Sequence, residues 1–188
     1  FDVATDRQTI ERLKDDWDSL YRKQAAPHLS DSFDWAALSW DKVTSQRRRH
    51  PYCAILRRDG RLVALLPLVI TPGGLAKVAS PMNSEASEYC PCLLDPDEPP
   101  ADLWASLHAG LKDRRDIDAL RLPHVRQDAP LDDLIRGWPG SQATVVQHAP
   151  FVRASDFPTL EDYTAWLPKK IRSELRRWGR GPEETGRV

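Results

Sequence analysis

An α/β fold, with a largely antiparallel sheet flanked by helices, is what the sequence predicts, and three observations carry the prediction. Tyr52 to Ile70 reads as two apolar runs either side of Arg58-Asp59-Gly60-Arg61. Glycine accepts the positive φ that a tight turn between antiparallel strands requires, so this stretch is a hairpin. Its second arm, Leu62 to Ile70, is apolar at nearly every position, which marks a central strand covered on both faces. Helical periodicity stands on either side of it, in Ile10, Leu13, Trp17, Leu20 and Tyr21 before the hairpin and in Leu103, Trp104, Leu107 and Leu111 after it.

In chain order, Thr5-Asp6-Arg7-Gln8 has capping-box spacing and opens a first amphipathic helix that ends before Pro27. A second helix begins near Ser32, turns Phe33, Ala36, Ala37, Trp40 and Val43 inward, and runs out in Arg47-Arg48-Arg49 before Pro51. Arginines in a last turn complement the helix dipole, and a solvated helix end explains them better than a phosphate site does. Pro67 is the discord in the central strand, since it cannot donate a ladder hydrogen bond, and it predicts a bulge or a split in the sheet. Thr71-Pro72-Gly73-Gly74 then turns the chain into a third strand, Leu75 to Ala79.

The polar segment from Ser80 to Tyr89 leads into a short strand from Cys90 to Leu94. A polar loop beside a sheet is where a site can sit, so Glu85, Glu88 and Tyr89 are candidate substrate-binding residues, against the alternative of a plain solvated loop. A third helix follows Pro100 and ends in Lys112, Arg114 and Arg115. Ile117 to Leu122 reads as a strand, Pro123 to Pro130 as a loop, and Leu131 to Trp138 as a short helix stopped by Gly137, Pro139 and Gly140. Ala143 to His148 is a last strand, resumed at Phe151-Val152 after Pro150.

The 188 residues, 40% of them hydrophobic, support one sizeable core. With a formal net charge of -1, no global field draws the chain to nucleic acid or to an anionic membrane, and no apolar run is long enough to span a bilayer. Cys53, Cys90 and Cys92 are odd in number, and Cys90-Pro91-Cys92 is too tight for an ordinary bridge, so a reducing, cytoplasmic setting is expected. His28, His50, His108, His124 and His148 are scattered, and no metal site is expected. The sequence starts at Phe1 rather than Met, so an upstream segment is expected.

The tail changes character. Thr159 to Asp162 starts a helix, Pro168 bends or restarts it, and Lys169 to Trp178 carries an apolar seam of Ile171, Leu175 and Trp178. Lys169, Lys170, Arg172, Arg176 and Arg177 surround the seam and form the one concentrated positive surface in the sequence. Arg176 to Gly181 also fits an R-x-x-G-x-G pattern able to wrap a pyrophosphate, but that mechanism needs a strand before the glycines and a helix after them. A basic helix precedes them instead, and Gly179 and Gly181-Pro182 are expected to end it.

Several of these stretches, taken in order, resemble the CelD-like acetyltransferases of cellulose and exopolysaccharide biosynthesis, which belong with the FemAB-type tandem GNAT proteins. They are the Trp17/Leu20 helix, the Phe33/Trp35/Trp40 helix, Asp59 to Leu68, Glu88-Tyr89, Asp118 to Pro123, and Tyr163 with Lys170 to Arg177 and Gly186. The resemblance implies a GNAT-like domain over residues 1–158 and a basic linking helix over 159–188 that leads to a second GNAT-like domain. It implies an N- or O-acyltransferase whose acetyl-CoA, or other acyl-CoA, is bound mainly by that second domain. The chain stops at Val188, where that domain would begin, so activity is expected of a longer protein and not of this chain alone. Resemblance to enzymes that hold an anionic sugar-nucleotide substrate on the linking helix singles out Arg172, then Lys169 and Arg176, as contacts for a small or sugar-linked acceptor; no catalytic base is singled out. A binding module that uses Lys169 to Arg177 for nucleic acid or anionic lipid is the alternative reading, and steep weakening of binding with salt is its signature.

Overall fold

The computed structural model describes residues 1–45, 49–73, 76–82, 89–127, 129–144 and 152–185. The chain divides into two compact units, Phe1–Thr144 and Val145–Val188. In the first, a mixed and largely antiparallel sheet is flanked by helices, as predicted.

That sheet has six strands among the described residues, β1 (Asp2–Ala4), β2 (His50–Arg58), β3 (Arg61–Gly73), β4 (Ala76–Pro81), β5 (Leu93–Leu94) and β6 (Ala119–Leu120). They run β1-β2-β3-β4-β6, and β5 pairs with β3. All pairings are antiparallel except β4 with β6. The β2/β3 turn has Asp59 at φ 51° and Gly60 at φ 78°. Two consecutive positive φ values match the twist of an antiparallel pair, which is why an Asp-Gly sequence sits there.

The helices cover both faces of the sheet. On one face lie α1 (Arg7–Glu11), α2 (Lys14–Arg22) and α3 (Phe33–Ser45). Ile10, Leu13, Trp17, Leu20, Phe33 and Trp40 there form one cluster with Cys53, Ile55, Leu65 and Val69 of β2 and β3. Crossing the other face are α4 (Pro100–Asp113) and α5 (Pro130–Arg136), whose Leu103, Trp104, Leu107, Leu111 and Leu131 meet Tyr52, Ala54, Leu56, Leu66 and Leu68. Strand residues alternate between the two clusters, so β3 is apolar on both sides because both sides are covered. Each fully buried leucine of β3 contributes about 1.5–3 kcal/mol by area.

Pro67 is accommodated by a split, one of the two predicted outcomes. On one edge β3 pairs with β4 from Leu68 to Gly73 and with β5 at Ala64 and Leu65, so the partner changes across residues 66 and 67. The Pro67 carbonyl accepts from Met82 N at 3.0 Å. A strand residue's N–H and C=O project to the same side, so the missing N–H faces the gap between partners. The bulge lies elsewhere, between Leu56 and Arg57 near the hairpin turn.

Other boundaries differ from expectation. The first helix is capped by Asp6 rather than Thr5, its carboxylate accepting from Thr9 N at 2.9 Å. It breaks into α1 and α2 where Leu13 N bonds to Ile10 O at 3.0 Å, a tighter i to i−3 turn. Ser32 does cap α3, accepting from Trp35 N at 3.2 Å. β1 was not predicted. β5 and β6 are shorter than the runs from Cys90 and Ile117, since Pro91 and Pro123 interrupt pairing at their ends. Residues 143, 144 and 152 are irregular where a strand was expected; 145–151 lie outside the described residues, as do Arg47, Arg48 and Leu75.

In the second unit, Thr159 caps α6 (Leu160–Trp166), accepting from Asp162 N at 3.1 Å. Leu167, ahead of Pro168, is extended, and α7 (Lys169–Thr185) restarts the helix. Gly179 and Gly181-Pro182 do not end it, contrary to expectation. Glycine lowers helix propensity and proline removes one hydrogen bond, but neither has to terminate the helix. Among the described residues no helix is long and apolar enough to cross a membrane.

Candidate functional site

The parallel pairing of β4 with β6 sets the carboxyl ends of both strands on the same edge of the first unit. Loops leaving that edge are where open α/β sheets gather their binding residues. Three loop segments meet there: the turn 28–31 between α2 and α3, the segment 89–92 before β5, and residues 121–126 after β6.

Side chains and backbone tie them together. Arg126 Nη1 lies 2.6 Å from His28 Nε2, and because arginine only donates, this ring nitrogen accepts. The Tyr89 ring stands 5.0 Å from the His28 ring, and the Arg126 guanidinium lies 5.4 Å above Tyr89. His124 carries φ 58°, a left-handed conformation that is uncommon outside glycine, and its carbonyl accepts from Cys90 N at 3.2 Å. Beneath them the indole of the fully buried Trp17 donates to the Asp31 carbonyl at 2.7 Å, which fixes the turn on the core.

Burial sets the electrostatics. It pushes the Asp31 carboxyl up to about 6, and the His28 N–H, 3.4 Å from Oδ2, offsets this only in part. The Cys92 thiol is pushed up to about 12 by burial and by Asp31, and Cys90 well above its ordinary value by burial, Cys92 and Asp31. Both thiols therefore stay protonated near neutrality and are poor nucleophiles. All three cysteines are free, and no group of three ligand side chains is placed to hold a metal among the described residues.

A second polar cluster pins the opposite end of the parallel pair. Tyr52 OH donates to Asp116 Oδ1 at 3.0 Å, and burial with that bond pushes the phenol up to about 12. A hydroxyl so firmly protonated is a structural donor.

The start of α4 bears directly on anion binding. Helix N-termini bind phosphate through unpaired N–H groups. Here Pro99 and Pro100 have none, and the N–H groups of Asp102 and Leu103 go to the Pro99 carbonyl at 3.1 and 3.3 Å. Asp102 adds negative charge to the first turn, while the carboxylates just before the helix are paired, Asp95 and Asp97 with Lys23 at 3.0 and 2.8 Å and Glu98 with Arg58 and Arg61. Nothing at this helix start suits a pyrophosphate.

Of the residues singled out in the sequence, Tyr89 lies in the cluster, while Glu85 and Glu88 lie outside the described residues. Lys169, Arg172 and Arg176 share α7 in the second unit, at spacings that place them along one side of the helix. Arg172 Nη1 donates to the carbonyls of Ala165 at 2.6 Å and Leu167 at 2.9 Å, closing the corner between α6 and α7. The R-x-x-G-x-G pattern lies within α7, where backbone N–H groups serve the helix and cannot wrap an anion. His28, Asp31, His124 and Arg126 were not foreseen: His28 and Arg126 are 98 positions apart, and no local pattern announces their meeting.

No protein-family model matches the sequence, and no curated protein matches it. Among solved structures, the chain is similar to a possible acetyltransferase from Clostridium difficile 630 at 9% identity and TM-score 0.43, covering 81% of this chain and 97% of that one. It is similar to an aminoglycoside N-acetyltransferase in complex with CoA at 8% identity and TM-score 0.42, covering 80% and 100%. A ribosomal-protein-alanine N-acetyltransferase from Brucella melitensis biovar Abortus 2308 gives 14% identity and TM-score 0.42, covering 79% and 100%. These are distant, partial likenesses to acetyltransferases.

Proposed function

We propose that this chain is the acceptor-recognising part of a CelD-like, FemAB-type GNAT acyltransferase, acting in exopolysaccharide or envelope biosynthesis in the cytoplasm. In this reading a second GNAT-like domain holds acetyl-CoA or another acyl-CoA and packs on the seam of Ile171, Leu175 and Trp178, which is exposed on α7. The order of sequence features and the mixed sheet favour the family. The observation that carries the division of labour is the start of α4, where two prolines lack the N–H groups that a CoA pyrophosphate needs, the N–H groups of Asp102 and Leu103 are taken by the Pro99 carbonyl, and the Asp102 carboxylate adds negative charge.

Each unit, taken by itself, offers candidate acceptor contacts in this reading. Tyr89 and its neighbours line the carboxyl edge of β4 and β6. On α7, Arg172 spends Nη1 on the helix corner and keeps its Nε and Nη2 edge for a phosphate or carboxylate, flanked by Lys169 and Arg176. Acyl transfer from a thioester needs only a base for the acceptor's proton and a donor for the oxyanion, with no covalent enzyme intermediate.

The test is calorimetric titration of acetyl-CoA into the 188-residue chain and its Arg172→Ala variant. No saturable micromolar binding is expected for either. Saturable binding to this chain would overturn the assignment of the acyl-CoA site to another domain.

A further inference from the structure

A cavity of about 50 Å³ opens between α1 and α3 in the first unit. Its floor and walls are the buried Ile10, Trp17, Phe33, Ala36, Trp40 and Met82. Two features of the sequence hold it open. On α3 the side chains of Ala36 and Ala37 line it and stop at Cβ, so that helix does not fill the space in front of α1. Trp17 is also held fast, since its indole donates to the Asp31 carbonyl at 2.7 Å and its ring meets Phe33 edge-on at 5.5 Å and 87°, which pins both rings in the wall.

The chemistry of the wall selects the ligand. Carbon dominates it, the Trp17 N–H is already spent on Asp31, and the charged side chains at the rim, Arg7 and Glu11, pair with each other at 2.7 Å. A bound water needs about two to four polar partners, which such a wall does not supply, whereas an alkyl group needs only apolar contact. Size then sets the length. A cavity of roughly 150 Å³ takes up a benzene ring, so one a third as large suits about two or three carbon atoms. Arg7, Glu11 and Ala37 are exposed, and a longer chain leaves between them. Trp17 joins this cavity to the cluster at the carboxyl edge, its ring lining the one and its N–H fixing the turn 28–31 of the other.

We propose that this cavity is a binding site for the end of an aliphatic chain of a small molecule, with its last carbons held among Trp17, Phe33, Trp40 and Met82 and the remainder passing out between Arg7 and Ala37. The site stands whether or not the chain belongs to an acyltransferase.

The experiment titrates the straight-chain alcohols from methanol to 1-pentanol into the whole 188-residue chain and follows the methyl signals of Ile10 and Met82 by NMR. Saturable shifts are expected at both methyls. Affinity rises about fourfold for each carbon added up to 1-propanol, the value of burying one methylene, and levels off for the longer alcohols once the cavity is full. Ala36→Leu fills the space and abolishes the saturable shifts. Ala37→Leu, on the exposed rim and outside the packed floor, is the second variant and gives the same loss. Shifts that stay linear with concentration, a gain that runs on undiminished to 1-pentanol, or unchanged binding in both variants would each overturn the site. Acetyl-CoA titration is read separately, so its outcome bears on the acyltransferase reading and leaves this site standing.

Discussion

Asp31→Asn is expected to stabilise the protein at neutral pH. Burial raises this carboxyl from 3.8 to about 6, so between those values the folded state holds more protons than the unfolded chain. Stability therefore falls as pH rises through that window, and above it the wild type carries the whole cost. Two pKa units at about 1.4 kcal/mol each set a ceiling of about 3 kcal/mol. The side chain is only partly buried, and solvent screening reduces this to about 1–2 kcal/mol. Asparagine keeps the shape and the acceptor for the His28 N–H, so charge is what changes. Urea denaturation followed by tryptophan fluorescence should show the variant more stable at about pH 7.5, with the gap closing towards about pH 4. A variant less stable than wild type at neutral pH, or a gap that does not change with pH, would refute the reasoning.

Two other substitutions probe the frame around the site. Asp95→Asn breaks a buried carboxylate that accepts from Lys23 Nζ at 3.0 and 3.1 Å and from Asp97 N at 3.1 Å. Burial pushes Asp95 up, but the Asp97 N–H, Lys23 and Arg61 outweigh it and hold the carboxyl below the ordinary range. Its stabilisation is therefore present above the unfolded pKa and is lost as pH falls through the lower folded one. The variant should cost about 2–3 kcal/mol at neutral pH, discounted from a fully buried pair because Lys23 is one-third exposed, and the cost should shrink below about pH 4. A neutral-pH loss under about 0.5 kcal/mol in urea titrations would refute it. Gly60→Ala should cost about 1 kcal/mol through φ 78° alone, since an added Cβ would meet nothing within 4 Å. Gly60→Asn should recover most of that in thermal melts, because asparagine tolerates left-handed backbone.

What the sequence disclosed was local. The two apolar runs of Tyr52 to Ile70, the Asp59-Gly60 turn and the periodic faces of Trp17/Leu20 and Leu103/Leu107 each depend on neighbours a few residues apart, and the structure has them as expected. Cap positions slipped by one residue because Thr5 and Asp6 are both competent N-caps and only the fold chooses between them. β1 escaped notice because three residues, Asp2–Ala4, carry too little pattern to read. In the candidate site, the polar loop singled out Tyr89, whose ring stands beside His28. His28 and Arg126 were not legible, since their contact depends on the order of strands and not on spacing. Asp31 reads in the sequence as one more polar residue ahead of a helix, and its unusual state comes from burial by residues far along the chain.

Pro67 connects the sheet to the site. With no N–H at that position, β3 has one donor fewer on the edge where β4 pairs, and β4 ends at Pro81, opposite Leu68. Met82 makes the last bond, to the Pro67 carbonyl, and the partner that resumes beyond the gap is β5 at Ala64 and Leu65. Residues 89–92, ahead of β5, lie at the carboxyl edge of β4 and β6, where Cys90 N finds the His124 carbonyl and Tyr89 finds His28. One proline in an otherwise apolar strand thus marks where the ladder changes partners, and the site is assembled from the loops gathered at that edge.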